Sequence, residues 1–276
     1  MPTAVLWIAT VGFSFGLGQG AEEDPLTVDL RGNAIWAFAW GTASARNSLT
    51  GFERGEDLDL RDDFGLLRGT ALADSALRLT VQGRHRIVFH DLFGSFSQRT
   101  VLDRTFEYND NVFQKGEHAR TNLEIDLRDL EYAAGIFGSP TLNLWAGAGG
   151  RWSHLNVGVR SSTLDPAGSM EENTAIYPTL NVAGTYSWTP SMSLALEVRG
   201  SPAAVPLGFS HASLGRFVEL RSALAWRMTE ALSLEMGGVF AWVWQRWRGR
   251  ESDRHYAVNY VDLLLAGPFL GLEISF

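Results

Sequence analysis

The stretch Phe269-Leu-Gly-Leu-Glu-Ile-Ser-Phe276 decides how the rest of the chain is read. Leu270, Leu272, Ile274 and Phe276 share one parity, and Glu273 and Ser275 take the other. Side chains of a strand alternate between its two faces, so this is a strand with one apolar and one wet surface. The run reaches back to Tyr256, well beyond the roughly five or six residues usual in a soluble sheet. A strand of that length, apolar on one side only, is what crossing a bilayer at a tilt requires.

Segments of the same kind recur from Leu26 onward, each of about 10 to 18 residues. Roughly ten are read: Thr27–Ala45, Leu67–Gln82, His85–Ser97, Thr121–Phe137, Leu142–Arg160, Ala175–Trp188, Ser191–Gly200, Gly215–Met228, Leu232–Arg248 and Tyr256–Phe276. Four connections are tight turns: Gly83-Arg84, Gly138-Ser-Pro140, Thr189-Pro-Ser191 and Thr229-Glu-Ala231. They alternate with longer polar segments at 46–66, 98–120, 161–174, 201–214 and 249–255. Tight turns at one end, long loops at the other and both termini on the turn side describe a closed, antiparallel, up-and-down transmembrane β-barrel. The expected fold is all-β with about ten strands; eight or twelve are also compatible with the pattern. In the fourth segment Ile125 and Leu127 have one parity and Leu130 and Tyr132 the other, which predicts a bulge near Arg128-Asp129.

The parity of the strands assigns an interior. Asp29, Arg31, Glu197, Arg199, Glu219, Arg221, Arg227, Glu235 and Glu273 all point inward, opposite to apolar neighbours such as Trp36, Leu196, Leu220 and Leu270. A barrel of about ten strands is slightly wider than one that side chains just fill. Opposed guanidinium and carboxylate groups would then form either a plug of charge-assisted hydrogen bonds or the lining of a narrow pore. Trp145 and Phe269, bulky and of inward parity, favour the plug. Trp36, Trp40, Trp152, Trp242 and Trp244 fall toward the loop side of their strands, and Trp188, Trp226 and Phe276 toward the turn side. Such rings settle at headgroup level, so two aromatic girdles are expected.

Composition narrows the function. The net charge of −8 argues against a polyanion-binding role such as nucleic-acid recognition. There is no Cys, so no disulfide framework or thiolate metal site exists. Lys115 is the sole lysine; the arginines that replace it suit lumenal carboxylates or lipopolysaccharide phosphates, though a codon bias toward Arg explains them equally well. Residues 1–20 hold the apolar run Ala4–Leu17 followed by Gly18-Gln-Gly20, the pattern of a cleaved signal peptide that lacks the usual basic start. The mature barrel is then expected to span 21–276.

The terminal stretch resembles the signal by which the barrel-assembly machinery recognises outer-membrane proteins. Gly271, Ile274 and Phe276 match it, whereas Phe269 stands where a polar residue is usual. As a whole the chain resembles the small OmpA-like and OmpW-like barrels of Gram-negative outer membranes. The likeness is carried by Asp59-Leu-Arg-Asp-Asp-Phe-Gly-Leu66, His85-Arg-Ile87 and the Leu102-Asp-Arg-Thr-Phe106 to Leu123–Gly135 hairpin. The resemblance implies an outer-membrane location, contact with outer-membrane lipid and lipopolysaccharide, and assembly by the barrel machinery. It implies no activity and no cofactor, and a fold alone supplies none.

Small barrels that modify lipid A or cleave peptides place a nucleophile beside a base near the outer rim. Ser153-His154 cannot do this, because adjacent strand residues face opposite sides. His90 meets the same objection with Ser95 and Ser97; Asp253 and His255 share parity but lack a nucleophile, and no His-Ser signature of lipid A deacylases is present. The acidic segment with Glu53, Glu56, Asp57, Asp59, Asp62 and Asp63 lacks the EF-hand spacing and reads as a solvated loop. Phe106, Tyr108 and Phe113 flank the turn Asn109-Asp-Asn111; they either meet a surface or periplasmic protein partner or fold over the barrel mouth. The expected protein is a non-enzymatic outer-membrane barrel with a largely plugged lumen; a narrow channel for small or hydrophobic solutes and a lipid A or surface-peptide enzyme are the alternatives.

Removal of Phe276 should impair assembly more than the stability of barrels already formed. Pulse-chase fractionation of the outer membrane checks this, and normal insertion of the deletion variant would remove Phe276 from the assembly signal.

Overall fold

The computed structural model describes residues 26–48, 55–109, 111–161, 170–203, 211–252 and 255–276. The expected signal peptide lies outside them. Ten strands form the wall: β1 (Leu26–Ser48), β3 (Thr70–Val81), β4 (His85–Val101), β7 (His118–Gly138), β8 (Leu142–Ser161), β9 (Met170–Thr189), β10 (Met192–Ser201), β11 (His211–Arg227), β12 (Leu232–Ser252) and β13 (His255–Ser275). Three short strands lie in the loops: β2 (Leu58–Asp59), β5 (Phe106–Tyr108) and β6 (Asn111–Phe113).

Each wall strand pairs antiparallel with its neighbours in sequence, and β13 returns to pair with β1 from Asp29↔Ser275 to Ser48↔Tyr256. The seam ends in reciprocal bonds between Val28 and Phe276, 3.2 Å and 2.9 Å. The sheet is therefore a closed ten-stranded antiparallel barrel. Closure leaves no unpaired edge, which is the condition for a sheet in hydrocarbon. Tight turns close one end. Between β3 and β4 the connection is residues 82–84: Gln82 (φ 51°) and Gly83 (φ 63°) both take left-handed backbone, and the Arg84 N–H closes the turn onto the Val81 carbonyl at 3.1 Å.

The strand assignments agree with the sequence reading, with three corrections. First, no bulge lies near Arg128-Asp129. The β7–β4 and β7–β8 registers run through that point unbroken, and the irregularity in β7–β8 falls at Gly135/Phe137. Ile125 and Leu127 are buried inside the barrel, while Leu130 and Tyr132 lie on its exposed outer surface. The apolar residues change faces because the surroundings change, not because the chain shifts. Around the turn-side half the outer surface is apolar, with Leu180, Val182, Leu196, Leu220 and Leu272 exposed. Nearer the loops the outer face of β7 carries Arg128, Asp126, Glu124 and Asn122, while Leu123, Ile125, Leu155, Val157 and Leu263 fill the inside. The barrel thus projects beyond the bilayer, and its projecting part is built like a water-soluble barrel.

Second, the described residues of 249–255 belong to strands rather than to a long loop. The β12–β13 ladder continues through Arg250↔Tyr256 and Ser252↔His255, with a register shift between Arg250 and Ser252. Third, the described part of the acidic loop is not simply solvated: Leu58, Leu60, Phe64 and Leu66 are buried in the barrel mouth. β2 pairs with β1 at Thr42 and Ala43, and the Leu60 N–H donates to the Gly41 carbonyl at 2.9 Å.

The division of the outer face predicts opposite results for one substitution. Leu180→Arg, at a position 65% exposed in the apolar band, should cost about 2–4 kcal/mol in lipid. Asn122→Arg, on the polar outer face of β7, should stay within about 0.5 kcal/mol. Equilibrium unfolding in lipid vesicles measures both.

Candidate functional site

The lumen has three layers. A vestibule of about 440 Å³ occupies the turn-side end. Its wall includes Asp29, Arg31, Arg78, Arg86, Trp145, Glu197, Arg227, Glu230, Glu235 and Glu273, and its inner end reaches Arg199 and Arg221. Trp145 stands inward on β8, and the Arg86 guanidinium lies 3.2 Å above its ring.

The middle layer is a buried ionic lattice. Asp129, 1% exposed, receives Arg151 Nε and Nη2, both at 2.7 Å. The same Nη2 reaches Glu219 Oε2 at 2.6 Å. Arg199 donates from Nη1 to Glu219 Oε1 at 3.0 Å and from Nη2 to Glu197 Oε1 at 2.6 Å, with Nε 3.4 Å from Glu131. Arg221 pairs with Asp74, which also accepts from Asn33 Nδ2 at 2.7 Å; Glu235 lies 3.6 Å from Arg221. Apolar rings cover the guanidinium planes: Phe217 lies 4.0 Å from Arg151, and Phe269 4.0 Å from Arg221. Phe269 fits because β12 has Gly237 beneath it, where a Cβ would stand 2.8 Å from Cζ of the ring.

His90 sits at the centre of the lattice. Its Nε2 is 2.5 Å from Asp74 Oδ1, and its Nδ1 is 3.0 Å from Asp129 Oδ2 and 3.1 Å from Arg199 Nη1. As an imidazolium it donates to both carboxylates. As a neutral ring protonated at Nε2 it still donates to Asp74 and accepts from Arg199. Both protonation states therefore have partners, and the group can hold or release a proton without leaving an orphan.

Above the lattice the lumen is apolar. Leu58, Leu60, Phe64 and Leu66 from the first loop meet Phe106, Tyr108 and Phe113 from the β5–β6 hairpin, with Phe64 edge-on to Phe106 and Tyr108. Tyr108 donates to the Val157 carbonyl at 2.9 Å. Of the two arrangements open to these aromatics, the structure shows the inward one. Arg104 latches the loops together: its Nε and Nη2 bond Asp63, and Nη1 reaches Glu56 at 2.5 Å. Burial by itself would raise the Asp63 carboxyl. Hydrogen bonds from Arg104 and from the Asp59 backbone N–H outweigh that and hold it below the usual carboxylate range.

The nine inward charges chosen from the sequence do not act alike. Glu197, Arg199, Glu219, Arg221 and Glu235 belong to the lattice. Asp29 and Glu273 share Arg78, at 3.5 Å and 3.4 Å. Arg31 lines the vestibule, and Arg227 lies exposed at its rim. Trp188 and Trp226 are exposed near the tight turns. Trp40 aligns with Leu264 of β13 across the seam, and Trp242 of β12 aligns with it from the other side. Trp242 donates to Asp262 at 2.7 Å, and Arg216 lies over Trp242 and Trp244. Trp152 stacks on His154, and Trp36 is exposed on the outer face of β1. Within the terminal segment, Ile274 and Phe276 are on the outer face and Gly271 packs against Asn33 inside.

Sequence reasoning missed Asp74, His90, Asp129, Glu131 and Arg151, the heart of the lattice. Asp74 sits between inward Leu72 and Ala76, His90 between Val88 and Leu92, and Arg151 between Gly149 and Ser153, while Asp129 and Glu131 are adjacent in the inward row of β7. For the first three, a polar residue between apolar or small inward neighbours was the available signal. Ser153 is buried inside and His154 faces outward, so the adjacent pair forms no dyad. Among the described residues no cluster of three His, Asp or Glu side chains is arranged to hold a metal ion. Asp253 lies outside the described residues.

No protein-family model and no curated protein matches the chain. Solved structures do. The outer-membrane protease OmpT from Escherichia coli superposes with a TM-score of 0.56 at 13% identity, covering 90% of this chain and 97% of that one. The transport unit of the Escherichia coli autotransporter AIDA-I gives 0.37 at 10% identity, covering 95% and 94%. A Pseudomonas aeruginosa FadL homologue gives 0.35 at 10% identity, covering 92% and 90%. The OmpT likeness establishes a shared fold: the chain is a transmembrane β-barrel of the outer-membrane type. The two lower scores add nothing to that.

Asp129→Ala leaves Arg151 buried against a missing partner and should cost about 3–5 kcal/mol. Asp129→Ala combined with Arg151→Met should cost clearly less than the two single changes added together; a double-mutant cycle by denaturant unfolding checks it. The latch predicts a pH effect. Because the folded carboxyl of Asp63 is depressed, its contribution is present above the ordinary carboxylate range and is lost as pH falls through the lowered value. Amide exchange at Asp63 and Phe64, corrected for intrinsic rate, should accelerate in acid, and Asp63→Asn should reproduce this at neutral pH.

Proposed function

We propose that the protein is a non-enzymatic barrel of the Gram-negative outer membrane, closed to passage, with a structural or surface-interaction role. The observation that carries this reading is the filled upper lumen: two loops turn their apolar side chains inward over a lattice of paired charges. A pore lining would keep its charges wet. Here Arg151 and Asp129 are each 1% exposed, so they serve to fill the barrel. In this the chain is like the small OmpA-type barrels, whose interiors side chains occupy. The outer leaflet's lipopolysaccharide meets the aromatic and arginine residues above the apolar band, and the barrel-assembly machinery reads the terminal strand.

A second reading is a channel for small or hydrophobic solutes. The apolar upper lumen favours it, since release of the Arg104 latch would expose a greasy passage. OmpT is a protease, but likeness at 13% identity carries the fold alone. Ser153 and His154 stand on opposite faces of β8, which leaves the enzyme reading without a working pair. Planar-bilayer recording decides between plug and channel. The closed barrel should give no discrete conductance steps; steps that disappear on Ala119→Trp, which adds bulk to the upper lumen, would establish the channel. Altered lipid A or surface-peptide profiles in overproducing cells would establish the enzyme.

A further inference from the structure

We propose that the turn-side vestibule is a binding site for a small soluble anion bearing a carboxylate or phosphate. The proposal does not depend on whether the outer mouth opens. It rests on which polar atoms are left over around one cavity.

The arginines of the vestibule are unequally matched. Arg78 has Asp29 and Glu273, Arg199 has Glu197 and Glu219, and Arg221 has Asp74. Arg31 has no such carboxylate. It is directly opposite Glu273 in the β1–β13 register, yet Glu273 is turned to Arg78. Arg86 is engaged by the Trp145 ring rather than by an acid. Both arginines line the same cavity.

Unsatisfied atoms converge on that space. Arg31 Nε, Arg86 Nε, Trp145 Nε1 and Arg221 Nε are buried donors without a hydrogen-bond acceptor, and all four residues line the vestibule. Arg31 is 8% exposed and Trp145 6%, so these are built-in side chains rather than surface ones. Lining residues also leave acceptors, Asn181 Oδ1 and Glu235 Oε2, but donors outnumber them, and two of the donors belong to arginines that no carboxylate touches. A ligand that fits is rich in acceptors and negative, and guanidinium forks match the planar or tetrahedral oxygens of carboxylate and phosphate. Around 440 Å³ holds a small metabolite-sized acid. The ionic lattice and apolar layer block the far end, so the ligand enters and leaves by the same opening: this is a receptor site, not a route.

The test is isothermal titration of the full-length barrel in detergent micelles with inorganic phosphate and, separately, with succinate. Saturable one-to-one binding of either probe is expected, and which one binds assigns the phosphoryl or the carboxylate class. The double variant Arg31→Gln with Arg86→Gln should weaken binding at least tenfold, while Arg128→Gln, on the outer face, should leave it unchanged. Trp145→Phe keeps the ring but removes the donor and should weaken binding several-fold; it replaces the double variant if that fails to show heat-modifiable migration. Failure of both probes to bind, or binding indifferent to Arg31, Arg86 and Trp145, would overturn the site.

Discussion

Inside hydrocarbon no water is available to satisfy a peptide group, so every N–H and C=O of a spanning sheet must find another strand. The β1–β13 seam meets that demand, and the rest of the structure depends on it. A closed ladder fixes each side chain as inward or outward for the whole length of its strand. The apolar band must then face lipid, and whatever polar groups remain are confined to a tube. Charges confined in this way have to neutralise one another, which is why the middle of the lumen is a lattice rather than a scatter of arginines.

The lattice and the apolar filling are two answers to the same geometry. At bilayer depth the outer face takes the hydrophobic residues, so the inner face is left polar. Beyond the bilayer the outer face meets water, and hydrophobic residues move inside, where loop side chains complete a core. Buried ion pairs are weak sources of net stability. What these pairs do is join strands that are distant in sequence: Arg151 on β8 bridges Asp129 on β7 and Glu219 on β11, and Arg221 on β11 reaches Asp74 on β3. They cross the barrel, whereas the backbone ladder only runs around it.

The strands, turns and inward charges of the second half were legible because polar and apolar residues alternate along the turn-side halves of those strands. The inversion in β7 was not legible. Leu127 and Leu130 differ in parity, and only knowledge of where the bilayer ends separates a change of surroundings from an extra residue. The lattice members Asp74, His90 and Arg151 escaped for a related reason: each is a polar residue between inward neighbours that are apolar or small, and Asp129 was absorbed into the supposed bulge. The fate of Phe106, Tyr108 and Phe113 was undetermined because their partners, Phe64 and the walls of the mouth, come from segments far away in sequence.

The seam has a kinetic side. Its partners are the two ends of the barrel, so it joins the residues of greatest sequence separation, and such contacts form late. Until it closes, Asp29 and Glu273 are on strands that have not met, and the Arg78 that links them has only one acid beside it. The final step of folding therefore dehydrates a set of charges at the moment it supplies their partners. An unclosed barrel keeps those groups in water, and this separates the unfinished form from the finished one by a sharp change in ionic character.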